Sequence, residues 1–385
     1  MARRTAAGLW IGRRPGEGGS GTPAAPPPIY IAPPSLEPWS YVVTVADHRG
    51  LVIGELAGAL ESVTWAVDGY GTAALILPTD APGYQHLLQY GNRVVIEFSN
   101  GLPLWGGVVD LPRETTLGQT RVQLYEATYL LGWDWVGPTS YTVDRTAAVG
   151  VVLAELVRES MLDIDAAAPA SSTGEVVPVE FDNESLLAAA AKLRGLDARL
   201  HFRVMARPIQ GRRISFALQV FCGAAADATI AARLLQGQNL VQWEVLEQGP
   251  VWNDVTVSAT SALEGGTSSR LMVTAVDAAS QLRYGLRRRP PQALPDVDAD
   301  STPGRTEAQA DAILAATHAP RLRARGVVLN QEPGLYRSFG IGSRVAVEVA
   351  RPAPAQLELV VIGMTFTPAA GTLSLVFDDA DRVEV

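Results

Sequence analysis

A chain of 385 residues with 47% hydrophobic and 18% charged side chains is long enough for two or three domains and apolar enough to bury their cores, which excludes disorder over most of its length. A net charge of −9 argues against a protein that holds nucleic acid by neutralising phosphates, and 36 Gly with 26 Pro among short apolar runs point to a β-rich, loop-rich chain. All but one of the 31 basic side chains are arginine; the exception, Lys192, sits in Ala-Lys-Leu, so a phosphate-binding Gly-Lys-Ser/Thr loop is excluded.

Residues 1–37 read as an extended Pro/Gly-rich arm. They hold Gly16, Gly18, Gly19 and Gly21, then six prolines between Pro23 and Pro34, with few apolar anchors beyond Leu9, Trp10 and Ile11. Such a segment buries too little surface to fold alone and is expected to be disordered or laid along a neighbour, with Trp10 and Tyr30 as contact points. Ala6 to Gly12 is too short for a secretory signal core and ends in Arg13-Arg14, so synthesis in the cytoplasm is expected. The longest apolar runs, 147–154 and 186–191, fall far short of the ~20 residues of a bilayer helix, and no membrane anchor is expected.

Residues 38–136 alternate strand and turn. Stretches 41–46, 61–67, 72–77, 93–98, 104–109 and 120–130 are rich in β-branched and aromatic residues between turn formers. Asn100-Gly101 supplies the positive-φ pair of a tight hairpin. Six short-linked antiparallel strands predict a small closed barrel. Residues 137–239 change period. Val149, Val152, Leu153, Leu156 and Val157 recur at helical spacing, as do Leu186, Leu187, Ala190 and Leu193 after an Asp182-Asn183 cap, with Lys192, Arg194 and Gly195 as stop signals. Strands at 199–204 and 214–221 complete a small α+β unit.

Residues 240–385 return to strands at 241–246, 254–259, 271–276, 326–329, 344–349, 357–366 and 372–377, which read as a second barrel. A helix near 306–318 connects them, started by a Thr306/Gln309 capping box. The fold class expected is therefore mainly β with a smaller α+β part: two tube-like antiparallel β-barrel domains with an α+β domain inserted between them.

Catalytic templates fail. There is no His-Glu-x-x-His, Gly-x-Ser-x-Gly or Cys-x-x-Cys, and the lone Cys222 excludes an intrachain disulfide or a cysteine-based zinc site. Gly16, Gly18 and Gly21 match a dinucleotide fingerprint but lie in the arm, and read as linker. His48, His86, His201 and His318 have no ligand spacing. A glycosidase-type carboxylate pair is open on spacing alone, although Glu97, Glu348 and Glu358 read as solvated strand faces. Asp296, Asp298, Asp300 and Glu307 match part of a calcium loop, but Ser301 replaces its turn glycine and Pro303 an apolar position, so an acidic solvated loop is the expectation. Arg287-Arg288-Arg289 and the alternating Arg321, Arg323 and Arg325 lack interleaved aromatics and read as carboxylate-pairing or intersubunit groups. The sequence thus names no catalytic, cofactor-binding or metal residue.

The order of parts carries more than any motif. Glu61-Ser-Val-Thr-Trp65 followed by Gly71-Thr-Ala-Ala-Leu-Ile-Leu-Pro78, then Tyr90-Gly-Asn-Arg-Val-Val-Ile-Glu97 and Leu104-Trp-Gly-Gly-Val-Val-Asp110, resemble segments of bacteriophage tail and baseplate hub proteins. So do Asn239-Leu-Val-Gln-Trp-Glu-Val245, Val251-Trp-Asn-Asp-Val-Thr-Val257, Tyr284-Gly285 and Gly340-Ile-Gly-Ser-Arg-Val-Ala-Val347. The resemblance covers roughly residues 38–385 and leaves the arm outside. It implies a non-enzymatic virion protein, a homotrimer whose two barrels per subunit form a pseudo-sixfold ring at the distal end of a tail. The partners implied are a distal tail protein or tube ring, a tip, spike or fibre protein, the tape measure protein, and DNA that passes through the lumen without specific binding. No cofactor is implied. The family's C-terminal peptidoglycan-cleaving extension is not expected here, since the strands run to the last residues. Residues 38–135 hold 10 acidic and 4 basic side chains, a net of −6 suited to a lumen that repels DNA. Two other readings stay open: the hub of a bacterial injection machine or gene-transfer particle, and a carbohydrate-binding or cell-wall-hydrolysing tail protein.

Overall fold

The computed structural model describes residues 3–4, 10–11, 39–79, 84–116, 118–143, 149–167, 179–196, 200–222, 229–248, 251–262, 268–294, 321–330, 335–350 and 355–379, with seven helical positions between 306 and 317, and His318. After the arm, the first seven strands are β1 (Tyr41–Ala46), β2 (Val52–Leu56), β3 (Ala59–Ala66), β4 (Thr72–Pro78), β5 (Arg93–Phe98), β6 (Trp105–Thr116) and β7 (Gln119–Glu126). They lie side by side in the order β3-β4-β7-β6-β5-β1-β2, every pairing antiparallel. The Asn100-Gly101 hairpin forms as expected between β5 and β6: Gly101 takes φ +89°, and Asn100 Oδ1 accepts Leu102 N at 3.3 Å.

A second run of strands comprises β13 (Ala232–Leu235), β14 (Leu240–Gln248), β18 (Arg321–Leu329), β19 (Arg344–Val349), β20 (Ala355–Thr367) and β21 (Thr372–Asp379). The sheet path runs β14-β18-β21-β20, and β19 carries β13 on the other side of β20. This run does not stand apart from the first. Gly363, Met364, Thr365 and Phe366 of β20 pair with Ala66, Trp65, Thr64 and Val63 of β3, so thirteen strands make one sheet. Two separately closed barrels are therefore not what the described strands form; within each run the path stays open. The reason is β20, 13 residues long, which gives its first half to β19 and its second to β3 on one edge, while its pairing with β21 on the other shifts register between Val361 and Gly363. One apolar core accordingly extends through both runs, from Val43, Ile96 and Trp105 to Leu359, Phe366 and Phe377.

The α+β part packs behind β1, β5 and β6. It holds β8 (Trp135–Val143), α1 (Val149–Glu159), β9 (Ile164–Ala166), β10 (Val179–Ser185), α2 (Leu186–Leu196), β11 (Leu200–Ala206) and β12 (Phe216–Cys222). Because successive strand residues point to opposite faces, Val94 and Ile96 enter the sheet core while Val95 enters the α+β core. That is why 93–98 reads as an unbroken apolar run. Both helices lie where the periodicity places them, but α2 starts at Leu186: its cap is Ser185, whose Oγ accepts Ala188 N at 3.2 Å, while Asp182 and Asn183 remain in strand β10.

The segments at 254–259 and 271–276 do not join the large sheet. As β15 (Asp254–Ala262) and β16 (Ser268–Val276) they form a separate three-stranded sheet with β17 (Gln292–Leu294), and Ala310 and Ile313 of the connecting helix pack on Val255 and Val257. Helix α3 (Ala278–Tyr284) begins with Asp277 Oδ1 accepting Ser280 N at 2.9 Å and ends at Gly285. The buried Asn253 holds its end, donating to Gly285 O at 2.8 Å and accepting Arg287 N at 2.7 Å.

In the arm, Arg3 and Arg4 pair antiparallel with Ile11 and Trp10. Gln309 of the expected capping box and the Asp296/Asp298/Asp300 loop lie outside the described residues.

Candidate functional site

The sequence names no site, so the geometry has to. Beginning with the histidines, the fold keeps all four apart. Main-chain oxygen of His48 accepts Arg93 Nε at 3.2 Å, His86 lies near Gln89, and His318 Nδ1 meets the Leu314 carbonyl at 3.2 Å. The His201 ring joins a charged cluster: its Nδ1 is 2.8 Å from Asp68 Oδ2, which also meets Arg194 Nε at 3.1 Å. Asp68 Oδ1 accepts Phe202 N, and Asp68 N donates back to Phe202 O. Asp68 holds φ +61°, a left-handed conformation that Asp tolerates and that this double clasp stabilises. The cluster fastens the β3–β4 turn to β11.

Beneath it lies the most perturbed carboxyl among the described residues. Strand β7 ends at Glu126, 3% exposed, whose Oε2 accepts Gly71 N at 2.7 Å and Ala66 N at 3.2 Å. Burial pushes its pKa up to about 7, against the Gly71 and Ala66 amides and the buried Arg203 guanidinium, which favour the charged form. Burial likewise lowers the Arg203 pKa, with Glu126 opposing. Raised carboxyls of this kind serve as general acids in clefts. Glu126, however, is roofed by the Ala66 and Gly71 backbone, and it organises a corner instead of facing a substrate.

The same corner turns its neighbours outward. The residues after β7 form a 3₁₀ helix, Ala127–Gly132, not the continued strand that 120–130 suggests. Around the corner Tyr70, Tyr125, Tyr129, Trp133 and Tyr90 stack in one contiguous row. The Tyr129 phenol donates to Asp110, which with burial raises its pKa to about 12. Part of this row has a sequence signal, the four-residue spacing of Tyr125, Tyr129 and Trp133, while Tyr70 and Tyr90 come from two distant segments.

Two clefts remain. One of 860 Å³ runs over β14, β18 and β21, lined by Trp243, Glu244, Arg325, Thr365 and Ser374. The other, of 460 Å³, lies between His48, Arg93, Asp163 and Arg213. Neither joins two carboxylates. Glu244 faces Arg325 across the β14–β18 ladder, and Asp163 is held by Arg93 at 3.1 Å and Arg213 at 3.0 Å. Glu97 and Glu358 stand exposed on their strands and Glu348 half-exposed, with Glu358 paired to Arg344 at 2.8 Å. Among the basic clusters, Arg288 pairs with the buried Asp254 at 2.9 Å, and Arg323 lies 3.8 Å from Asp378, while Arg325 is exposed. Among the described residues no group of three His, Cys, Asp or Glu is placed to hold a metal ion, and no helix is long and apolar enough to cross a membrane.

No protein-family model matches the chain, and no curated protein matches it in sequence. Its fold is nevertheless shared with solved structures of phage tail proteins. The 43 kDa tail protein of prophage MuSo2 from Shewanella oneidensis aligns over 89% of this chain and 99% of its own, at 11% identity and a TM-score of 0.54. A tail protein from Neisseria meningitidis covers 88% of this chain and 96% of its own at 12% identity, with a TM-score of 0.55. A prophage tail protein from Listeria monocytogenes covers 88% and 94% at 12% identity, with a TM-score of 0.52. The fold of this chain is that of phage tail proteins, in agreement with the resemblance read from its segments.

Proposed function

We propose that the chain is a structural subunit of a phage-type tail: a homotrimeric hub at the distal end that adapts a sixfold tube to a threefold tip. The observation that carries this reading is the fusion of two largely antiparallel strand runs within one chain through the β20–β3 pairing. Three copies of such a chain present six strand modules, which resolves the mismatch between a sixfold ring and a threefold tip in one polypeptide. In this reading each run contributes a tube-like barrel-type module, and the α+β part, from β8 to β12, packs outside the ring, while Ala232–Leu235, expected from the sequence in that part, belongs to the second run as β13. The partners are the tube ring or distal tail protein, a tip or fibre protein and the tape measure protein, and the hub opens to release the tape measure and genome. Its work is mechanical and non-catalytic, and its place is the virion tail.

The test is the mass of the purified full chain by light scattering across a concentration series, with negative-stain imaging of the same samples. A species of three times 40.9 kDa, seen as a threefold ring with a central opening, is the expected result. A monomer at every concentration, or a ring of another symmetry, overturns the trimer.

A further inference from the structure

Five aromatic side chains make a surface row that the tail reading does not use: Tyr70 and Tyr90 stand exposed, Tyr125 is half-buried, and Tyr129 and Trp133 are half-buried against the α+β core. Tyr90, 60% exposed, lies nearly parallel to Trp133 at 5.2 Å; Trp133 meets Tyr129 edge-on at 5.9 Å; Tyr129 stacks on Tyr125 at 4.7 Å. Tyr70, 39% exposed, touches both Tyr129 and Tyr125. Rings hold large apolar area and gain by burial, so a contiguous row left at the surface marks a contact surface. The Tyr129–Asp110 hydrogen bond fixes one rung and sets a carboxylate beside it.

The chain supplies a segment that suits this surface. Pro23-Ala24-Ala25-Pro26-Pro27-Pro28 precedes the fold and carries prolines at the three-residue interval of a polyproline II turn. Proline presets that conformation, so little ordering entropy opposes docking, and aromatic-lined surfaces are what such helices bind. Lengths agree: five or six residues of polyproline II cover roughly 15–19 Å, comparable to three successive ring steps of 5.2, 5.9 and 4.7 Å.

Reach agrees as well. The chain enters the fold at Trp39, packed on Tyr41 and Phe366, and β1 leads from there to Ala46, the cross-strand partner of Arg93, three residues from Tyr90. β1 covers about 20 Å, and the ten residues 29–38 can span up to about 33 Å. Charge favours the same approach, since residues 1–37 carry +2 while residues 38–135 carry −6. We infer that the aromatic row is the docking site of the chain's own Pro23–Pro28 segment, bound as a polyproline II helix.

Photocrosslinking of the full chain tests this. With Tyr90→p-benzoylphenylalanine, irradiation and peptide mapping are expected to link position 90 to residues 23–28 within a single chain. A Pro26→Ala/Pro27→Ala/Pro28→Ala variant in the same background is expected to lose at least five-fold of that link with its thermal midpoint unchanged. Links to other peptides, links only between chains, or a link that survives the triple substitution overturn the inference. Because the readout is a covalent link within one chain, its outcome is separate from that of the trimer test.

Discussion

Glu126 is a carboxyl whose ionisation opposes folding. Its pKa stands at about 7, raised by burial above the 4.5 of an unfolded chain. Between those two values the folded state holds the proton more tightly, so the contribution of Glu126 to stability is fully present below pH 4.5 and is lost as pH rises through 7. The loss is on the order of 3 kcal/mol, taking ~1.4 kcal/mol for each pKa unit. Glu126→Gln keeps the shape and removes the titration. We expect its urea midpoint to vary much less between pH 5 and pH 8 than that of the parent, with the gap in its favour widest at pH 8. Gly71 belongs to the same corner: a Cβ there would stand 1.9 Å from Thr64 O and 3.0 Å from Glu126 Oε2. Gly71→Ala should therefore cost about 2–3 kcal/mol in urea unfolding, since the crowding atom is backbone and cannot swing aside. None of this is legible in the sequence. Glu126 sits at a strand end in a Tyr-Glu-Ala-Thr run that looks like any solvated turn, and its burial depends on Gly71 and Arg203, 55 and 77 positions away.

At the scale of elements, β20 and its partners decide the architecture. Trp65 and Trp105, both fully buried, seal the junction from the first run: Trp105 Nε1 donates to Thr64 O at 3.0 Å and Trp65 Nε1 to Leu104 O at 3.4 Å. Phe366 packs there against Trp39, Phe98 and Tyr336. Phe366→Ala should cost about 3–5 kcal/mol and, because one core serves both runs, should lower a single unfolding transition without splitting it in two; calorimetry distinguishes these. The strands themselves were readable wherever alternation or a turn signal was local, as at Tyr41–Ala46 and Asn100-Gly101. Strand β2 was not, because Gly54 and Glu55 break its apolar pattern; Gly54 is there since a Cβ would meet Leu87 at 3.0 Å. Pairing was not readable either. Whether 254–262 joins the large sheet or forms its own depends on contacts with the helix around Ile313, which local composition does not encode.

For the whole molecule, the acidic bias of residues 38–135 predicts that assembly is sensitive to salt. If the modules meet around a common channel, like charges converge there, and screening relieves them. The trimer fraction measured by light scattering is expected to rise between 20 and 300 mM salt, on the order of the Debye length shrinking from ~20 to ~6 Å. A trimer held chiefly by ion pairs would show the reverse.

The shared strand β20 also gives the subunit a direction of strength. Its bonds to β3 lie across the strand axis, so a pull along that axis loads them together, in shear, whereas a sideways pull peels them one after another. The joint between the two runs is thus stiff along one line and weak across it. A tension that follows the strand is shared at once by the four residue pairs from Gly363 to Phe366; a torque across it meets them in turn.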